Sequence, residues 1–133
     1  MIRHKKPDKN KALSLVKSSK SDYDFTISLP INEKSANTIV RNIYECFRML
    51  GEALLISKGI QSDDHVVPIK ELTNLKIKTT RPLMFLDYLR KIRRNINYYG
   101  YLASKKEAED VLDFAKSNFI IIEKIVLEII KLS

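Results

Sequence analysis

Apolar residues recur at alternating spacings of four and three between residues 36 and 54, and this row constrains the fold more than any other feature. Such spacing returns the side chains to one face of an α-helix, so the row predicts a long amphipathic helix. Asn32 or Ser35 can cap its start and Gly59 can end it, which gives a helix of about 25 residues. The members of the row are Ala36, Val40, Ile43, Phe47, Leu50 and Leu54.

Residues that form turns are scarce, since three glycines and four prolines are spread over 133 residues. Few turns require long elements, and long elements are usually helices. The length suits one continuous core and is too short for two. We therefore expect an all-α fold over residues 10–133, an up-down bundle of four long helices plus a short connecting helix. Residues 1–9 are polar and basic, and we expect them to form a flexible arm.

The first helix is expected over residues 10–29 and ends before Pro30, because the residue before a proline is disfavoured in a helix. Residues 25–31 also alternate between apolar and polar in the manner of a strand. No second alternating run offers that strand a partner, so we interpret the stretch as helix.

Three further helices are predicted in the second half of the chain. A short one is expected over residues 66–75, and a longer one opens near Arg81 and closes at Gly100. The last helix begins after Ser104, and Glu107 stands three residues on, as in a capping box. In its final two turns apolar residues extend beyond one stripe, which is typical of a helix that is central in the core or shared with another chain.

The net charge of +8 is concentrated in two segments. Residues 1–11 carry five lysines and arginines against one aspartate, and residues 70–94 carry eight against two acidic residues. Concentrated positive charge of this kind can attract phosphate groups. The alternative is that the lysines only confer solubility.

Several classes of site are excluded by what the sequence lacks. Cys46 is the only cysteine, so no intramolecular disulfide or cysteine-based zinc site is possible, and its apolar surroundings predict a buried side chain. The sequence has no phosphate-binding glycine loop, no HExxH and no GxSxG, so we expect neither metal nor cofactor. No signal peptide is expected, and the most apolar stretch, residues 119–132, is too short and too charged to span a bilayer, so a cytoplasmic protein without membrane contact is expected.

The segment 86–101 combines four lysines and arginines, two asparagines and four tyrosines. Guanidinium groups suit phosphates, and tyrosine rings offer stacking surfaces for bases. A structural role is the alternative, in which Arg94 pairs with Glu45 or Glu52 and Asn95 satisfies a buried backbone group. One helical face would present Arg90, Arg94, Asn97 and Tyr101, if the helix extends that far.

Two stretches of the chain resemble the HEPN superfamily. They are the run 43–55 with Lys58-Gly59 and His65 after it, and Leu89-Arg90-x-x-Arg93-Arg94-Asn95 with Tyr99. The resemblance covers residues 10–132, and it extends to the helical partners of minimal nucleotidyltransferases and to the substrate-binding halves of some nucleotidyltransferases. It implies a bundle of four to five helices that dimerises with its motif faces near the two-fold axis.

The resemblance also implies a chemistry, because active members are metal-independent ribonucleases whose motif is an arginine followed a few residues later by a histidine. Arg94-Asn95 matches the start of this motif and Tyr101 its end, but Tyr99 occupies the histidine position. A tyrosine, with an ordinary pKa of about 10, is a poor general base near pH 7, where imidazole titrates. His65 matches a loop histidine of the family, for which we expect a structural capping role.

We therefore expect a dimeric HEPN-like module that binds RNA, a nucleotide or a nucleotidyltransferase partner without full catalytic competence. Two alternatives stay open. One is a toxin-type, metal-independent endoribonuclease that uses Arg94 with Tyr99 or Tyr101, and the other is a structural partner whose apolar last helix completes an oligomer. The binding residues expected for the module are Arg90, Arg93, Arg94, Asn95, Asn97 and Tyr101.

Overall fold

The structure is a computed structural model that describes residues 2–79 and 81–133. In chain order its elements are β1 (Ile2–His4), α1 (Lys9–Ile27), α2 (Ala36–Ser57), β2 (Ile60–Ser62), α3 (Val66–Thr73), α4 (Phe85–Tyr99) and α5 (Lys105–Leu132). Helices make up 70% of the chain, which confirms the all-α prediction at the level of fold class.

Helix α2 is central, because it contacts α1, α3, α4 and α5. Every member of the apolar row between residues 36 and 54 is buried, as its spacing predicts. The ring of Phe47 packs against those of Phe114 and Phe119 on α5, with centroids 5.3 and 5.6 Å apart. Tyr23 of α1 stacks on Phe119 at 4.2 Å, so α1, α2 and α5 share one aromatic cluster. Each large apolar side chain buried in this way stabilises the fold by about 1.5–3 kcal/mol.

Side-chain caps start α1 and α5, whereas α2 begins at Ala36 with no capping hydrogen bond from the side chain of Ser35, which corrects the cap expected there. Asp8 caps α1 by accepting a hydrogen bond from the backbone N–H of Lys11 at 3.0 Å. Helix α1 ends at Ile27, so residues 25–27 are helical and the strand alternative for this stretch is wrong. At α5 the side chains of Ser104 and Glu107 form the predicted capping box.

The N-terminal segment, expected to be a flexible arm over residues 1–9, contacts the rest of the domain through residues 2–5. Strand β1 pairs antiparallel with β2, with Arg3 opposite Gln61. The Arg3 guanidinium donates a hydrogen bond to Asp63 at 2.9 Å, and the Lys5 N–H donates one to the Gly59 carbonyl at 2.6 Å. The sequence does not predict this pair, because three-residue strands are too short to show an alternating pattern.

Part of the apolar surface at the end of α5 is exposed. Ile120 and Ile121 are 48% and 40% exposed, whereas Val126 and Ile130 are buried. The apolar residues outside the main stripe therefore do not all enter the core. Among the described residues no helix is both long enough and apolar enough to cross a membrane.

Helices α2 and α3 approach so closely that only a glycine fits between them. A Cβ on Gly51 would overlap the backbone carbonyl of Pro68, near the start of α3. This contact fixes the position of α3 and of the loop that precedes it, and that loop contributes to the site described below.

We predict that Gly51→Ala lowers the free energy of unfolding by about 1–3 kcal/mol, because the added methyl group overpacks this contact. The loss should exceed the gain in helix propensity, which is at most about 1 kcal/mol. Urea unfolding followed by circular dichroism measures the change. Gly100→Ala is the comparator, since its Cβ meets open space and only the left-handed backbone, at about 1–2 kcal/mol, opposes it. A Gly51→Ala protein as stable as the wild type would contradict the close approach.

Candidate functional site

Helix α4 holds the arginine-rich segment against the core by one narrow apolar stripe. Its buried residues are Leu86, Leu89, Ile92 and Ile96. Their burial sets the rotation of the helix about its axis, so the cationic residues between them face outward. Gly100 then takes a left-handed conformation, with φ of 66°, and ends the helix.

The outward side of α4 borders a groove of about 290 Å³, which we call the arginine groove. Helix α4 forms one wall, Tyr44 of α2 contributes from the core, and the loop before α3 forms the opposite side. The lining residues are Tyr44, Asp63, Asp64, His65, Val66, Arg90, Arg93, Arg94 and Tyr98.

The three arginines of this groove have different partners. Arg90 donates to Asp87 one turn earlier, at 3.1 Å. The Arg93 guanidinium lies 5.2 Å from the centroid of the Tyr44 ring, in a cation–π contact. Arg94 is exposed and has no hydrogen bond or ion pair with any residue in the ranges 2–79 and 81–133. Of the three, Arg94 is the one whose guanidinium is available to a ligand.

The carboxylates proposed as structural partners for Arg94 bind another arginine. Arg48, on the same helix as Glu45 and Glu52, forms ion pairs with both. Burial opposes ionisation of Glu45, yet its hydrogen bonds and charge contact with Arg48 hold its pKa below the ordinary value. Glu45 and Glu52 are therefore already paired within their own helix and need no partner from α4. The pairing of Arg94 with either carboxylate, which was the structural alternative, does not form.

The two aspartates of the arginine groove are also occupied. Asp63 accepts the hydrogen bond from Arg3. Asp64 accepts one from the backbone N–H of Val66 at 2.7 Å and so satisfies the start of α3. These contacts partly offset the negative charge of the two aspartates, so the net charge of the groove is positive.

His65 lies in the arginine groove and not in a capping contact. Its side chain makes no hydrogen bond to the start of α3, so the capping role expected for it is corrected. The side chain of Asp64 accepts the hydrogen bond there instead. Its Nδ1 is 3.3 Å from the hydroxyl of the buried Tyr44. Burial, then the charges of Arg93 and Arg48, lower the pKa of His65 below its ordinary value. The imidazole is therefore neutral at pH 7.

The Tyr44 contact indicates which imidazole nitrogen carries the proton. In the described part of the chain, His65 is the hydrogen-bond partner of the Tyr44 hydroxyl, and a buried hydroxyl that does not donate is costly. If Tyr44 donates to Nδ1, the neutral ring carries its proton on Nε2. His65 then offers an N–H donor, which suits an anionic ligand.

A second groove, also about 290 Å³, adjoins the other side of Arg94, and we call it the outer groove. It is lined by Lys91, Arg94, Asn95 and Tyr99. Tyr99 is 70% exposed, so the residue that stands at the motif's histidine position contacts solvent. Lys91 is 3.3 Å from Asp87, which also receives Arg90.

Two of the expected binding residues line neither groove. The Asn97 side chain accepts a hydrogen bond from Arg41 on α2 at 2.9 Å. Tyr101 lies beyond the end of α4, and its hydroxyl donates to Glu107 at 2.6 Å. Arg90, Arg94 and Asn97 lie within α4 at the expected spacing, but Tyr101 does not share their face, because the helix ends at Gly100 before reaching it.

Tyr44 and Tyr98 line the arginine groove but are not among the predicted binding residues, and the position of the loop 63–66 beside α4 is not predicted either. Tyr98 belongs to the tyrosine-rich segment 86–101, so the composition of that segment could have indicated it as a groove residue. No sequence pattern indicates that Tyr44 and the loop 63–66 lie beside α4, because their approach depends on how α2, α3 and α4 pack. No group of three or more potential metal ligands occurs among the residues that the structure describes.

The structure thus defines a mostly helical protein with a cationic cleft along one helix. The chain matches no family model, no curated protein and no solved structure.

We predict that Arg93→Gln raises the pKa of His65 towards the ordinary value of about 6.5, since it removes a positive charge that disfavours the imidazolium. A pH titration of the imidazole resonances by NMR measures the change. Arg41→Gln is the control, because Arg41 contacts Asn97 and is not among the charges that lower the pKa of His65. An unchanged His65 pKa in Arg93→Gln would contradict the electrostatic coupling.

Proposed function

We propose that this protein is an HEPN-like helical module that binds RNA through the arginine groove and does not cleave it. The observation that carries the proposal is the exposed guanidinium of Arg94, which lies beside Arg90 and Arg93 and has no partner within residues 2–79 and 81–133. A phosphate can accept two parallel hydrogen bonds from such a group.

The surroundings of Arg94 support a phosphate ligand. Arg90 and Arg93 add positive charge in the same groove, and His65 offers an N–H donor to it when Tyr44 donates to Nδ1. The carboxylates that line it are engaged by Arg3 and by the backbone of α3. An anion entering the groove therefore meets more unsatisfied donors than acceptors. A free nucleotide shares this phosphate chemistry and is an alternative ligand.

Binding without cleavage is favoured by the two groups that could act as the base. Tyr99 offers a phenol hydroxyl where active members of the resembled family have an imidazole, the side chain that most often acts as the base. His65 is neutral, but its contact with Tyr44 favours the tautomer in which Nδ1 accepts the Tyr44 hydroxyl and Nε2 carries the proton. Neither group presents a free basic nitrogen to a 2′-hydroxyl.

The resemblance adds three further parts to the proposal, namely the up-down four-helix topology, a homodimer and a nucleotidyltransferase partner. In such a homodimer the α4 faces lie near the two-fold axis, so the arginine grooves of two copies are neighbours. Sedimentation equilibrium should give the mass of two chains. A mass of one chain at all concentrations would remove the dimer from the proposal.

We predict that single-stranded RNA binds with an affinity that falls as salt rises, because phosphate contacts release counterions. Arg94→Ala should weaken binding about tenfold and flatten the log–log salt slope by about 0.7, the value of one lost phosphate contact on a single strand. Fluorescence anisotropy over a series of salt concentrations measures both quantities.

Lys116→Ala is the matched control for this measurement. Lys116 is exposed on α5 and lines neither groove, so its removal changes the net charge by the same amount at a distance. Arg94→Lys tests geometry, since it keeps the charge and loses the planar fork. Equal losses in Arg94→Ala and Lys116→Ala would mean that net charge alone attracts RNA, and the proposed site would fall.

A second candidate function, a metal-independent endoribonuclease, is favoured by one observation. His65 supplies an imidazole to the groove that contains Arg94, although the motif position holds Tyr99. That reaction requires the other tautomer of His65, in which Nδ1 donates to the Tyr44 hydroxyl and Nε2 is free. The 2′-oxygen would then bond to phosphorus and lose its proton to Nε2. The bond from phosphorus to the 5′-oxygen would break, and water would protonate the leaving oxygen.

We predict no cleavage of RNA by the wild-type protein in the presence of a chelator. The assay compares wild type, Arg94→Ala and His65→Ala, with product ends analysed for cyclic phosphate. Cleavage by the wild type that both substitutions abolish would replace the binding proposal with the ribonuclease.

A further inference from the structure

Arg94 lies between two grooves, and no other residue that the structure describes lines both. The arginine groove is on one side of it and the outer groove is on the other, each about 290 Å³. A ligand whose phosphate binds Arg94 therefore has space to continue in both directions along the surface of α4.

Each groove also contains an exposed tyrosine from the last turn of α4. Tyr98 lines the arginine groove and is 67% exposed, and Tyr99 lines the outer groove and is 70% exposed. Consecutive residues of an α-helix point about 100° apart, so one ring faces each groove. Among the described residues neither phenol group has a hydrogen-bond partner, so neither ring is held by the fold.

The size of the grooves limits what each can hold. A volume near 290 Å³ is just below the range of about 300–1,000 Å³ for pockets that enclose drug-sized ligands. Each groove therefore has room for one planar group such as a base, and not for a duplex. Exposed aromatic rings stack on any base that is free of its neighbours, and bases in a duplex are not.

We infer that the two grooves form one binding site for single-stranded RNA, in which Arg94 binds the phosphate between two nucleotides whose bases stack on Tyr98 and Tyr99. The inference rests on the proposed function and adds the substrate class and two stacking residues. Arg90 and Lys91 lie in the arginine groove and the outer groove, respectively, where the neighbouring phosphates of an extended strand would pass.

The experiment measures the affinity of one short RNA, as a single strand and as the matching duplex, by fluorescence anisotropy at fixed salt. The single strand should bind at least tenfold more tightly. Tyr98→Ala and Tyr99→Ala should each weaken single-strand binding by about five- to a hundredfold, the range for one lost stacking contact. Tyr98→Phe and Tyr99→Phe should bind like the wild type, because each keeps the ring.

Tyr88→Ala is the control, since Tyr88 is an exposed tyrosine of the same helix that packs on Phe85 and lines neither groove. Circular dichroism confirms that each variant folds. Polyglutamate serves as a competitor with negative charge but no bases.

The outcomes separate this inference from the proposed function. If Arg94→Ala weakens binding but the two alanine variants bind like the wild type, or the duplex binds as tightly as the single strand, the stacking site is overturned and the phosphate site stands. If polyglutamate competes as well as RNA, the base-stacking inference is also overturned. Loss in both alanine variants, rescued by phenylalanine, supports it.

Discussion

The burial of helix α2 on several sides is the constraint on which the rest of the structure depends. It contacts α1, α3, α4 and α5, and residues such as Phe47 and Leu50 are fully removed from water. Gly51 allows α3 to approach within backbone contact. Because α3 and α4 are both placed against α2, the loop before α3 faces the cationic side of α4, and the arginine groove is a consequence of this packing.

Electrostatic pairing within single helices decides which charges are left for a ligand. Arg48 binds Glu45 and Glu52, and Arg90 binds Asp87, each three or four residues away on the same helix. These local pairs form without any tertiary arrangement, and they leave Arg94 with no carboxylate among the described residues. Exposed ion pairs contribute little to folding, so leaving Arg94 unpaired costs the fold little stability. An unpaired guanidinium beside a groove is instead typical of a surface that binds a ligand.

The candidate site was predictable in part. Arg90, Arg94 and Asn95 were found because guanidinium groups and polar residues cluster in one helical segment, and composition alone reveals such clusters. Tyr101 could join the face of Arg90 and Arg94 only if the helix extended past Gly100, and it does not. For His65 the sequence predicts a capping role, but its ring contacts Tyr44 instead. Tyr44 lies twenty-one positions earlier, and no local sequence pattern predicts a contact over that separation.

The sequence by itself determined the helices, the start of α5 and the apolar face of α2, because side-chain periodicity and capping act between residues a few positions apart. The capping box of Ser104 and Glu107 and the helix end at Gly100 belong to this class. Tertiary structure alone decided the pairing of β1 with β2, the approach of His65 to Tyr44 and the two grooves beside Arg94. These features join segments far apart in the chain, so they exist only once the core has formed.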